Sequence, residues 1–412
     1  MWYTELHTTT LSSGKDRIYI EIFNLYICIT FNFFMKLFYP LFLFVVLAFT
    51  GCKNESHTNT VNTTRSENVI KYAKGLQIYK YEGFTVVKVT NPWPDAKEGF
   101  TYVMQQKDGI VPDSLKKYTV VSVPLKTVVV TSTTHIPSLE MLGVENTLVG
   151  FPTTDYVSSE KTRARIDAGK VKEVGTNESL NTEVMLDLNP DAVVGFSISS
   201  NNKTLNNLQQ SGMAILYNGD WTEQTPLGKA EWIKFFGALY DQDNKADGLF
   251  NDIEKEYNNT LKLIQNVTDT PSVLCGALYQ DHWYLPQGGS WAALFLKDAK
   301  ANYLWANTVG TGSLSLSFET VLDKAQNADF WIGPSQFTSL KEMTDANPHY
   351  SQFKSFQTKN IYSFSTKKGK KGGLIYYELS PNRPDLVLKD MISILHPEVL
   401  PGYKLYFFEK LK

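Results

Sequence analysis

The stretch DNKADGLFNDIEKEYNNTLKLIQNV, residues 243–267, decides how the rest of the chain is organised. Its apolar residues recur at intervals of three and four, which is typical of a helix with one buried stripe. These residues are Ala246, Leu249, Phe250, Ile253, Tyr257, Leu261 and Ile264. Asp241 and Asp243 are suited to cap the start of this helix, and Pro271 stops the chain just beyond it. We therefore predict a helical spine, continuous through Gly248, that joins two lobes.

The composition is that of a globular protein without a nucleic-acid partner. The chain has 412 residues and a formal net charge of -2. A length of this order allows two or three domains. The sequence has neither a basic stripe nor a long acidic tract, so nucleic acid and a solvating charged tail are both disfavoured.

The N-terminal region has the features of an export signal. Met35 and Lys36 precede the apolar run 37–49, which is followed by small residues and Cys52. The run is too short for a comfortable membrane span. The ending Phe49-Thr50-Gly51-Cys52 resembles the lipobox of bacterial lipoproteins, in which the cysteine is lipidated, although Leu is commoner than Phe at the first position.

This region is accordingly divided into three parts. Residues 1–34 are predicted to be a non-native upstream extension, residues 35–51 a lipoprotein signal peptide, and residues 52–69 a polar, flexible tether. The alternative is a genuine N-terminal membrane helix over residues 18–49. Apart from the lipidated Cys52, the mature body then contains only Cys275, and the apolar run around it predicts a buried thiol.

Downstream of the tether, short strands alternate with helices. Residues 70–126 are rich in Val, Tyr, Phe and Thr, which favours β-structure. Residues 127–131 (TVVVT) form a β-branched run that is typical of a strand buried on both faces. The alternation continues to residue 217 and returns after the spine, which predicts parallel sheets with helices on both faces. Residues 272–278 are predicted to be one strand, followed by a long loop that ends at Gly288.

Two segments on either side of the spine share one pattern. SLNTEVMLDLNPDAVVG (179–195) and LSFETVLDKAQNADFWIG (316–333) each place a Glu at the start of a predicted helix. Glu183 and Glu319 are each followed by Leu three residues later and by Asp four residues later, and each segment ends with a short apolar strand and Gly. The recurrence indicates two lobes of similar plan.

No catalytic motif accompanies this plan. The sequence contains no Walker loop, no G-x-G-x-x-G, no H-E-x-x-H, no C-x-x-C and no nucleophile elbow. We therefore predict a protein that is not an enzyme and that uses no cofactor. An enzyme on the same two-lobed plan and a purely structural surface lipoprotein are the alternatives from other classes.

The order of these segments resembles the helical-hinge substrate-binding proteins of ABC importers, the group that serves iron–siderophore complexes, haem and cobalamin. TSTTHIPSLEMLGVENTLVG (131–150) is similar to the family's first strand, loop, helix and strand, and the two repeated segments are similar to its later units. The resemblance covers most of residues 127–395. It implies an α/β fold of two Rossmann-like lobes with parallel central sheets, joined by a single long α-helix. The corresponding domain limits are 70–240 for the N-terminal lobe, 241–269 for the spine and 270–412 for the C-terminal lobe.

The resemblance also implies a function and its partners. The protein would be the substrate-binding component of an ABC transporter, held in the bacterial periplasm by its N-terminal lipid. It would capture an iron complex, such as a ferric siderophore, between its lobes and deliver it to the membrane permease and its ATPase. Cobalamin, a corrinoid, is the main alternative ligand. Haem and a bare metal ion are weaker alternatives.

Glu183 and Glu319 occupy the positions of the glutamates with which this family docks onto its permease. Two carboxylates on separate lobes would fix the orientation of the protein through charge-assisted pairs with arginine. The alternative is that each carboxylate only stabilises the first turn of its own helix through the helix dipole.

The ligand of such a fold lies between the lobes, at loops that leave the carboxyl ends of the strands. Aromatic side chains with a few polar groups suit a bulky chelate. The predicted ligand-binding residues are His135, Tyr156, Phe196, Tyr279, Trp283, Ser290, Trp291, Tyr376, Tyr377 and Arg383.

Two further groups of residues support weaker hypotheses. Residues 367–373 (KKGKKGG) form either a solvated loop or a basic lip that attracts an anionic chelate, to which Arg163, Arg165 and Arg383 would add charge. A bare zinc or manganese site would draw on His135, His282, His349 and Asp155.

Overall fold

The structure is a computed structural model of the chain, and it describes residues 66–200 and 202–412. The predicted extension, the signal peptide, Cys52 and the first part of the tether therefore lie outside the described residues, as does the alternative membrane helix. Within the described ranges, no helix combines the length and the apolar character that a membrane span requires.

In the part of the chain that the structure describes, the strands lie in four sheets. In chain order they are β1 (Leu76–Tyr81), β2 (Phe84–Val89), β3 (Phe100–Gln105), β4 (Thr119–Ser122), β5 (Val128–Val130), β6 (Leu148–Phe151), β7 (Lys172–Glu173), β8 (Ala192–Gly195), β9 (Ile215–Tyr217), β10 (Ser272–Cys275), β11 (Ala277–Tyr279), β12 (His282–Pro286), β13 (Asn302–Tyr303), β14 (Ser313–Leu316), β15 (Phe330–Ile332), β16 (Ile361–Ser363) and β17 (Glu409–Lys410).

Helices connect most of these strands. In chain order they are α1 (His135–Leu142), α2 (Glu160–Asp167), α3 (Thr182–Leu188), α4 (Lys203–Gln210), α5 (Pro226–Ala230), α6 (Ile233–Leu239), α7 (Asp243–Ile264), α8 (Trp291–Asp298), α9 (Phe318–Ala325), α10 (Leu340–Ala346), α11 (Lys354–Gln357), α12 (Ile375–Leu379) and α13 (Pro384–Leu395). Short 3-10 helices span Asp113–Leu115, Glu145–Thr147, Thr154–Tyr156, Asp220–Thr222 and Pro348–Gln352.

The first lobe is built on a wholly parallel sheet in the order β7-β6-β5-β8-β9. The predicted β-branched strand, β5, is its central strand, and Val128, Val129 and Val130 are fully buried. The chain order reverses between β5 and β8, which is the doubly wound arrangement that leaves a crevice at the carboxyl ends of these two strands. A second sheet, β1-β2-β3-β4, packs against this lobe, and the Tyr217 backbone N–H donates to the Tyr102 hydroxyl at 2.8 Å.

The second lobe repeats this plan with one addition. Its main sheet has the order β13-β10-β15-β16-β17 and is parallel except for the β16–β17 pair. The predicted single strand over 272–278 is wrong, because the chain bends at Gly276, where φ is 73°. A side chain is excluded there, since a Cβ would lie 1.8 Å from the Tyr284 carbonyl oxygen. The predicted loop before Gly288 is also wrong, because β11 and β12 form an antiparallel sheet with β14.

The spine prediction is confirmed. The helix α7 is continuous from Asp243 to Ile264, through Gly248. Ala246, Phe250 and Ile253 are buried in the core of the first lobe, whereas Tyr257 and Ile264 are buried in the core of the second lobe. One amphipathic stripe therefore fixes both lobes to the same helix.

The predicted cap of the spine is not observed, because α7 begins after Gln242 without a side-chain cap. Packing of the stripe, rather than capping, stabilises this helix. With two parallel sheets on either side of one helix, the predicted fold class of two Rossmann-like lobes joined by a single long α-helix is confirmed.

Candidate ligand-binding site

A cleft of about 730 Å³ lies between the lobes at the crevice of the first sheet. Residues from both lobes line it, which places a site where the chain order of the first sheet reverses. From the first lobe these are Thr131, Ser132, Thr133, Phe151, Pro152, Thr153, Tyr156, Thr176, Asn177, Glu178 and Phe196; from the second lobe they are Gln336, Ser365, Lys368, Gly372, Gly373, Leu374 and Tyr377.

The first-lobe wall of the cleft is rich in hydroxyl groups. Thr131, Ser132 and Thr133 directly follow β5, and Phe196 directly follows β8. The Phe196 backbone N–H donates to Thr131 Oγ1 at 2.8 Å, which ties the two strand ends together. The wall therefore presents donors and acceptors from a rigid sheet edge, as a site for an oxygen-rich ligand requires.

Three of the predicted ligand-binding residues meet in this cleft. Tyr156 of the first lobe and Tyr377 of the second lobe both line it, and they are 65% and 57% exposed, respectively. Phe196 also lines the cleft, with its ring edge-on to Trp221 at 5.4 Å between centroids. Large rings exposed beside a cavity offer flat surfaces for a bulky ligand.

A second cavity of about 300 Å³ opens in the second lobe, at the carboxyl ends of β10 and β15. Tyr279, Trp291, Tyr376 and Tyr377 line this cavity, which we call the aromatic slot. Tyr377 lines the cleft as well as the slot, so the two cavities adjoin at this side chain. Six of the predicted ligand-binding residues thus line two adjoining cavities that the sequence alone did not distinguish.

Trp283 was predicted to bind the ligand, but the structure places its side chain in the core of the second lobe. It has no exposed surface, stacks on Trp331 at 5.2 Å between ring centroids, and donates its indole N–H to the Cys275 carbonyl oxygen at 2.9 Å. The cause is the alternation of β12, in which Trp283 and Leu285 point inwards whereas His282 and Tyr284 point outwards. Tyr284 lines the aromatic slot instead.

His135 was also predicted to bind the ligand, but the structure places its side chain in the core of the first lobe. Its side chain is buried at the start of α1, against Phe236 at 5.5 Å between ring centroids. Burial lowers the pKa of His135, and the nearby Asp220 carboxylate opposes that effect. The imidazole is therefore part of the first-lobe core rather than of the cleft wall.

Ser290 and Arg383 have partners within the protein. Ser290 caps α8, with its hydroxyl oxygen accepting from the Ala293 backbone N–H at 3.3 Å. Arg383 forms a two-pronged pair with Asp385, at 2.9 Å from Nε and 2.7 Å from Nη2. Neither residue lines the cleft or the slot. Their observed contacts are thus structural, and a ligand contact by either remains a prediction.

The basic run 367–373 is divided among several roles. The Lys367 ammonium donates to the carbonyl oxygens of Leu405 and Tyr406, each at 2.7 Å, and Lys370 pairs with Asp167 of the first lobe at 2.8 Å. Lys368 lines the cleft. Of the predicted basic lip, Lys368 is therefore the residue placed to meet a ligand.

The two first-lobe arginines face their own lobe. Arg163 is buried and donates to the Thr154 carbonyl oxygen. Arg165 donates to the carbonyl oxygens of Asn146 and Leu148 at 2.9 and 3.1 Å. Neither guanidinium lines the cleft, and the hypothesis that their charge helps to attract the ligand stays a prediction.

The histidines of the metal hypothesis are not brought together. His282 lies on the outer face of β12, and His349 hydrogen-bonds to Gln352 at 2.9 Å beside Phe318. Within residues 66–200 and 202–412, no group of three or more His, Cys, Asp or Glu side chains is arranged to hold a metal ion.

The lobes also meet beside the cleft through a buried carboxylate. Glu378 of α12 accepts from the backbone N–H groups of Ser158 and Ser159, at 2.7 and 2.9 Å. Burial raises the pKa of Glu378 to about 7, an effect that the nearby Glu140 carboxylate strengthens. This contact joins the second lobe to the segment that carries Tyr156.

A glycine contact completes this seam. A Cβ on Gly373 would lie 2.1 Å from the Tyr156 carbonyl oxygen, and one on Gly369 would lie 2.5 Å from the Ser158 Cα. Only glycine allows the two backbones to approach this closely. The glycines of the basic run therefore let that loop close directly over Tyr156.

The two predicted docking glutamates occupy equivalent positions. Glu183 is the second residue of α3 and Glu319 the second residue of α9, and both side chains are exposed. Asn181 caps the first helix by accepting from the Val184 N–H at 3.1 Å, and Ser317 caps the second by accepting from the Thr320 N–H at 3.2 Å. The geometry suits both docking and helix stabilisation, so docking remains a prediction.

The sequence profile of the family described as periplasmic binding protein matches residues 128–366, more than half of the chain. The chain therefore belongs to the periplasmic binding protein family. Its matched region contains the parallel sheet of the first lobe, the spine and the parallel strands of the second lobe, whereas the cavity residues from Lys368 onwards lie beyond it. In agreement with the sequence-based prediction, the protein is a substrate-binding protein and not an enzyme.

Relatives and solved structures agree with this assignment. An uncharacterised lipoprotein of Methanocaldococcus jannaschii is 26% identical over 402 residues, which cover 89% of this chain and 94% of the relative. Helicobacter pylori CeuE, solved in a nickel–histidine complex, matches with a TM-score of 0.54 at 18% identity, over 77% of this chain and 91% of CeuE. A periplasmic haem-binding protein from Pseudomonas aeruginosa matches with a TM-score of 0.54 at 17% identity, over 70% of this chain and 98% of that protein. At these identities the two structures support the fold alone.

Proposed function

We propose that this protein is the substrate-binding component of an ABC transporter, and that it captures an iron complex of the ferric siderophore type between its lobes. The observation that carries the proposal is the cleft, which lies at the crevice of the first sheet and is lined by residues of both lobes. The hydroxyl groups of the first lobe, together with the exposed rings of Tyr156 and Tyr377 from the two lobes, suit a chelate whose surface is part oxygen and part ring. The wall carries one positive and one negative side chain, Lys368 and Glu178, so an anionic complex would be held on the Lys368 side.

The proposal includes delivery at a membrane. The lipid on Cys52 would anchor the protein to the cell envelope on the periplasmic side. The relative from Methanocaldococcus jannaschii is also named a lipoprotein. Glu183 and Glu319 would then dock onto the permease through one carboxylate on each lobe. Their equivalent positions on α3 and α9 support this arrangement.

Ligand capture is tested by equilibrium dialysis of the full-length protein in detergent against a ferric tricatecholate, a ferric trihydroxamate, haem, cobalamin and zinc. We expect saturable, sub-micromolar binding of one ferric chelate. Tyr156→Ala and Phe196→Ala should weaken that binding at least tenfold, because each removes a ring that lines the cleft. Tyr406→Ala is the matched control, since Tyr406 is 44% exposed and lines neither cavity.

Three outcomes contradict the proposal. Tighter binding of cobalamin or haem than of either ferric chelate would replace the ligand class. Equal losses of affinity in the cleft variants and in Tyr406→Ala would remove the cleft as the site. Binding of none of the five compounds, together with turnover of a small ester or phosphate, would replace the binding function by an enzymatic one.

Docking is tested separately by transport. The double variant Glu183→Ala, Glu319→Ala should abolish uptake and leave ligand affinity unchanged, because both side chains lie outside the cleft and the slot. A loss of ligand affinity in this variant would show that the two glutamates do not act by docking.

A further inference from the structure

The helix α12 carries three successive side chains into different surroundings. Tyr376 lines the aromatic slot, Tyr377 also lines the cleft, and Glu378 is buried where the lobes meet. Only 3% of Glu378 is exposed, although the side chain before it is more than half exposed. A carboxyl in such a place needs hydrogen-bond donors from the opposite lobe, because the loss of water around an ionised group is costly.

The partners of Glu378 belong to the first-lobe segment that carries Tyr156. The two carboxyl oxygens accept from the backbone N–H groups of Ser158 and Ser159, at 2.7 and 2.9 Å. The backbone of Tyr156 itself lies against Gly373, where a Cβ would come within 2.1 Å of the Tyr156 carbonyl oxygen. The second lobe therefore holds the backbone next to a ring that lines the cleft.

The first lobe holds the other end of the same segment. The backbone N–H and the hydroxyl of Thr154 donate to Glu173 at 2.9 and 2.6 Å, and the Arg163 guanidinium donates to the Thr154 carbonyl oxygen. Thr153 has a φ of 47°, a left-handed conformation that side chains with a Cβ rarely adopt. The turn that presents Tyr156 is thus strained, and it depends on contacts from both lobes.

A second carboxylate approaches Glu378 through Ser159. The Ser159 backbone N–H donates to Glu378, whereas the Ser159 hydroxyl donates to Glu140 of α1. Among residues 66–200 and 202–412, neither glutamate forms an ion pair with a basic side chain. Two carboxyl groups from opposite lobes are therefore brought together without a cation between them.

The other titratable groups on the adjoining elements have separate partners or face water. His135, on the same helix as Glu140, packs against Phe236 in the first-lobe core, and Glu160 at the start of α2 is exposed. The basic side chains form the pairs Lys161–Glu145, Arg163–Asp167, Lys370–Asp167 and Arg383–Asp385. None of these groups neutralises Glu378.

This arrangement makes the contact between the lobes sensitive to ionisation. Burial, together with the Glu140 carboxylate, raises the pKa of Glu378 from 4.5 to about 7. When the lobes separate, Glu378 regains water and its ordinary pKa, so the closed state binds the proton more tightly than the open state. The contribution of Glu378 to closure is therefore full below pH 4.5 and is lost as the pH rises through 7.

We propose that Glu378 is a positioning residue, which forms with Ser158 and Ser159 a latch that holds Tyr156 at the cleft while the carboxyl is neutral and opens when it ionises. The consequence for the ligand rests on the proposed function, because an open latch withdraws Tyr156 from the cleft wall and releases the chelate. The latch itself is a property of the protein without ligand, so it is tested without one.

The test is hydrogen–deuterium exchange of the full-length protein in detergent, read by mass spectrometry with fragmentation that resolves single amides. The protection factors of the Ser158 and Ser159 amides, corrected for the intrinsic exchange rate at each pH, should fall by at least about tenfold from pH 5 to 8. They should also lie at least about tenfold below those of Val193 and Val194 in β8, because the latch opens while the first-lobe sheet stays folded.

Three variants separate a latch from a merely structural contact. Glu378→Gln is neutral at every pH, so the protection of the two serine amides should not vary with pH. Glu140→Gln removes the opposing charge and should move the midpoint of the fall to lower pH. Ser138→Ala is the matched control, since it removes an uncharged contact between the lobes, the hydrogen bond to Asn382 at 2.8 Å, and should lower protection by the same factor at every pH.

The proposal is overturned if the protection of the two amides follows the same pH dependence in the parent protein and in Glu378→Gln. It is also overturned if that protection equals the protection of β8, because the lobes then separate only when the protein unfolds. Failure of the proposed function would be seen separately: the absence of chelate binding in dialysis leaves the exchange results standing, and a latch that ignores pH leaves chelate binding standing.

Discussion

In the first lobe the segment after the central strand presents hydroxyl groups to the cleft, whereas in the second lobe the ends of β10 and β15 open onto the aromatic slot. Both lobes use a parallel sheet whose chain order reverses at the cavity. In the first lobe, β5 leads through the polar loop 131–134 directly into α1. In the second lobe, β10 leads into the β11–β12 hairpin before the chain reaches α8.

That hairpin accounts for the chemical difference between the lobes. It adds Tyr279 and Tyr284 to the slot and places Trp291 at the first position of α8. The bend at the start of the hairpin depends on Gly276, because a Cβ at this position would clash with the Tyr284 carbonyl oxygen. An insertion at one strand end thus changes the chemistry of a site while the sheet beneath it stays the same.

The largest expected effect separates the core face of this hairpin from its cavity face. Trp283→Ala removes a fully buried indole that stacks on Trp331 and hydrogen-bonds to Cys275. It should lower the free energy of unfolding by roughly 3–5 kcal/mol, measured by urea denaturation. Tyr279→Ala, on the same hairpin but 67% exposed, should change it by less than about 0.5 kcal/mol.

The same pair of variants tests the reassignment of Trp283. Tyr279→Ala should weaken the binding of a ligand that enters the aromatic slot. Trp283→Ala should leave that binding unchanged at temperatures where the variant is folded. If Trp283→Ala is as stable as the parent protein but loses ligand affinity, the original placement of Trp283 at the ligand is restored.

The second effect concerns the seam at which the lobes meet. Burial raises the pKa of Glu378 to about 7 from an ordinary value of 4.5. The folded state therefore binds a proton more tightly than the unfolded state, and its contribution to stability is full below pH 4.5 and is lost as the pH rises through 7. Since one pKa unit corresponds to about 1.4 kcal/mol, the loss is on the order of 3 kcal/mol.

Glu378→Gln tests this dependence because it is neutral at every pH. The parent protein should lose stability between pH 4.5 and 7 in thermal denaturation, whereas the variant should not, so the stability of the parent relative to the variant should fall over this range. Asp167→Asn is the matched control, since it breaks the exposed ion pair with Lys370 across the same seam and should leave the pH dependence unchanged. An identical pH dependence in parent and Glu378→Gln would show that Glu378 stays charged.

The sequence was sufficient for features that depend on local periodicity. The stripe of α7 and the β-branched run of β5 are each visible within one window of residues, and both are where they were predicted. The repeated Glu of α3 and α9 was visible for the same reason, because both helices start in the same way. Local patterns of this kind fix the element and its buried face.

The composition of the two cavities could not be predicted in this way. The aromatic slot unites Trp291, Tyr376 and Phe408, which lie on separate elements far apart in the chain and are brought together only by tertiary packing. In the basic run, Lys367 binds carbonyl groups near residue 405 whereas Lys368 reaches the cleft, and no local signal distinguishes them. The inward position of Trp283, by contrast, follows from the alternation of residues 282–286 and could have been found.

The smallest expected effect lies in the spine, to which both lobes are fixed. Gly248 is an exposed interior position of α7, and a Cβ there would meet no other atom within 4 Å. Gly248→Ala should therefore raise the free energy of unfolding by about 1 kcal/mol, because Ala is the better helix former. Gly237→Ala is the matched control in the neighbouring helix α6, where the new Cβ would lie 2.6 Å from that of Ala246 and should force α6 away from the spine. Opposite signs for the two changes in the free energy of unfolding, measured by urea denaturation, would support a continuous spine helix that packs tightly against α6. A destabilising Gly248→Ala would instead indicate that the helix is broken at Gly248 and that the lobes move about that point.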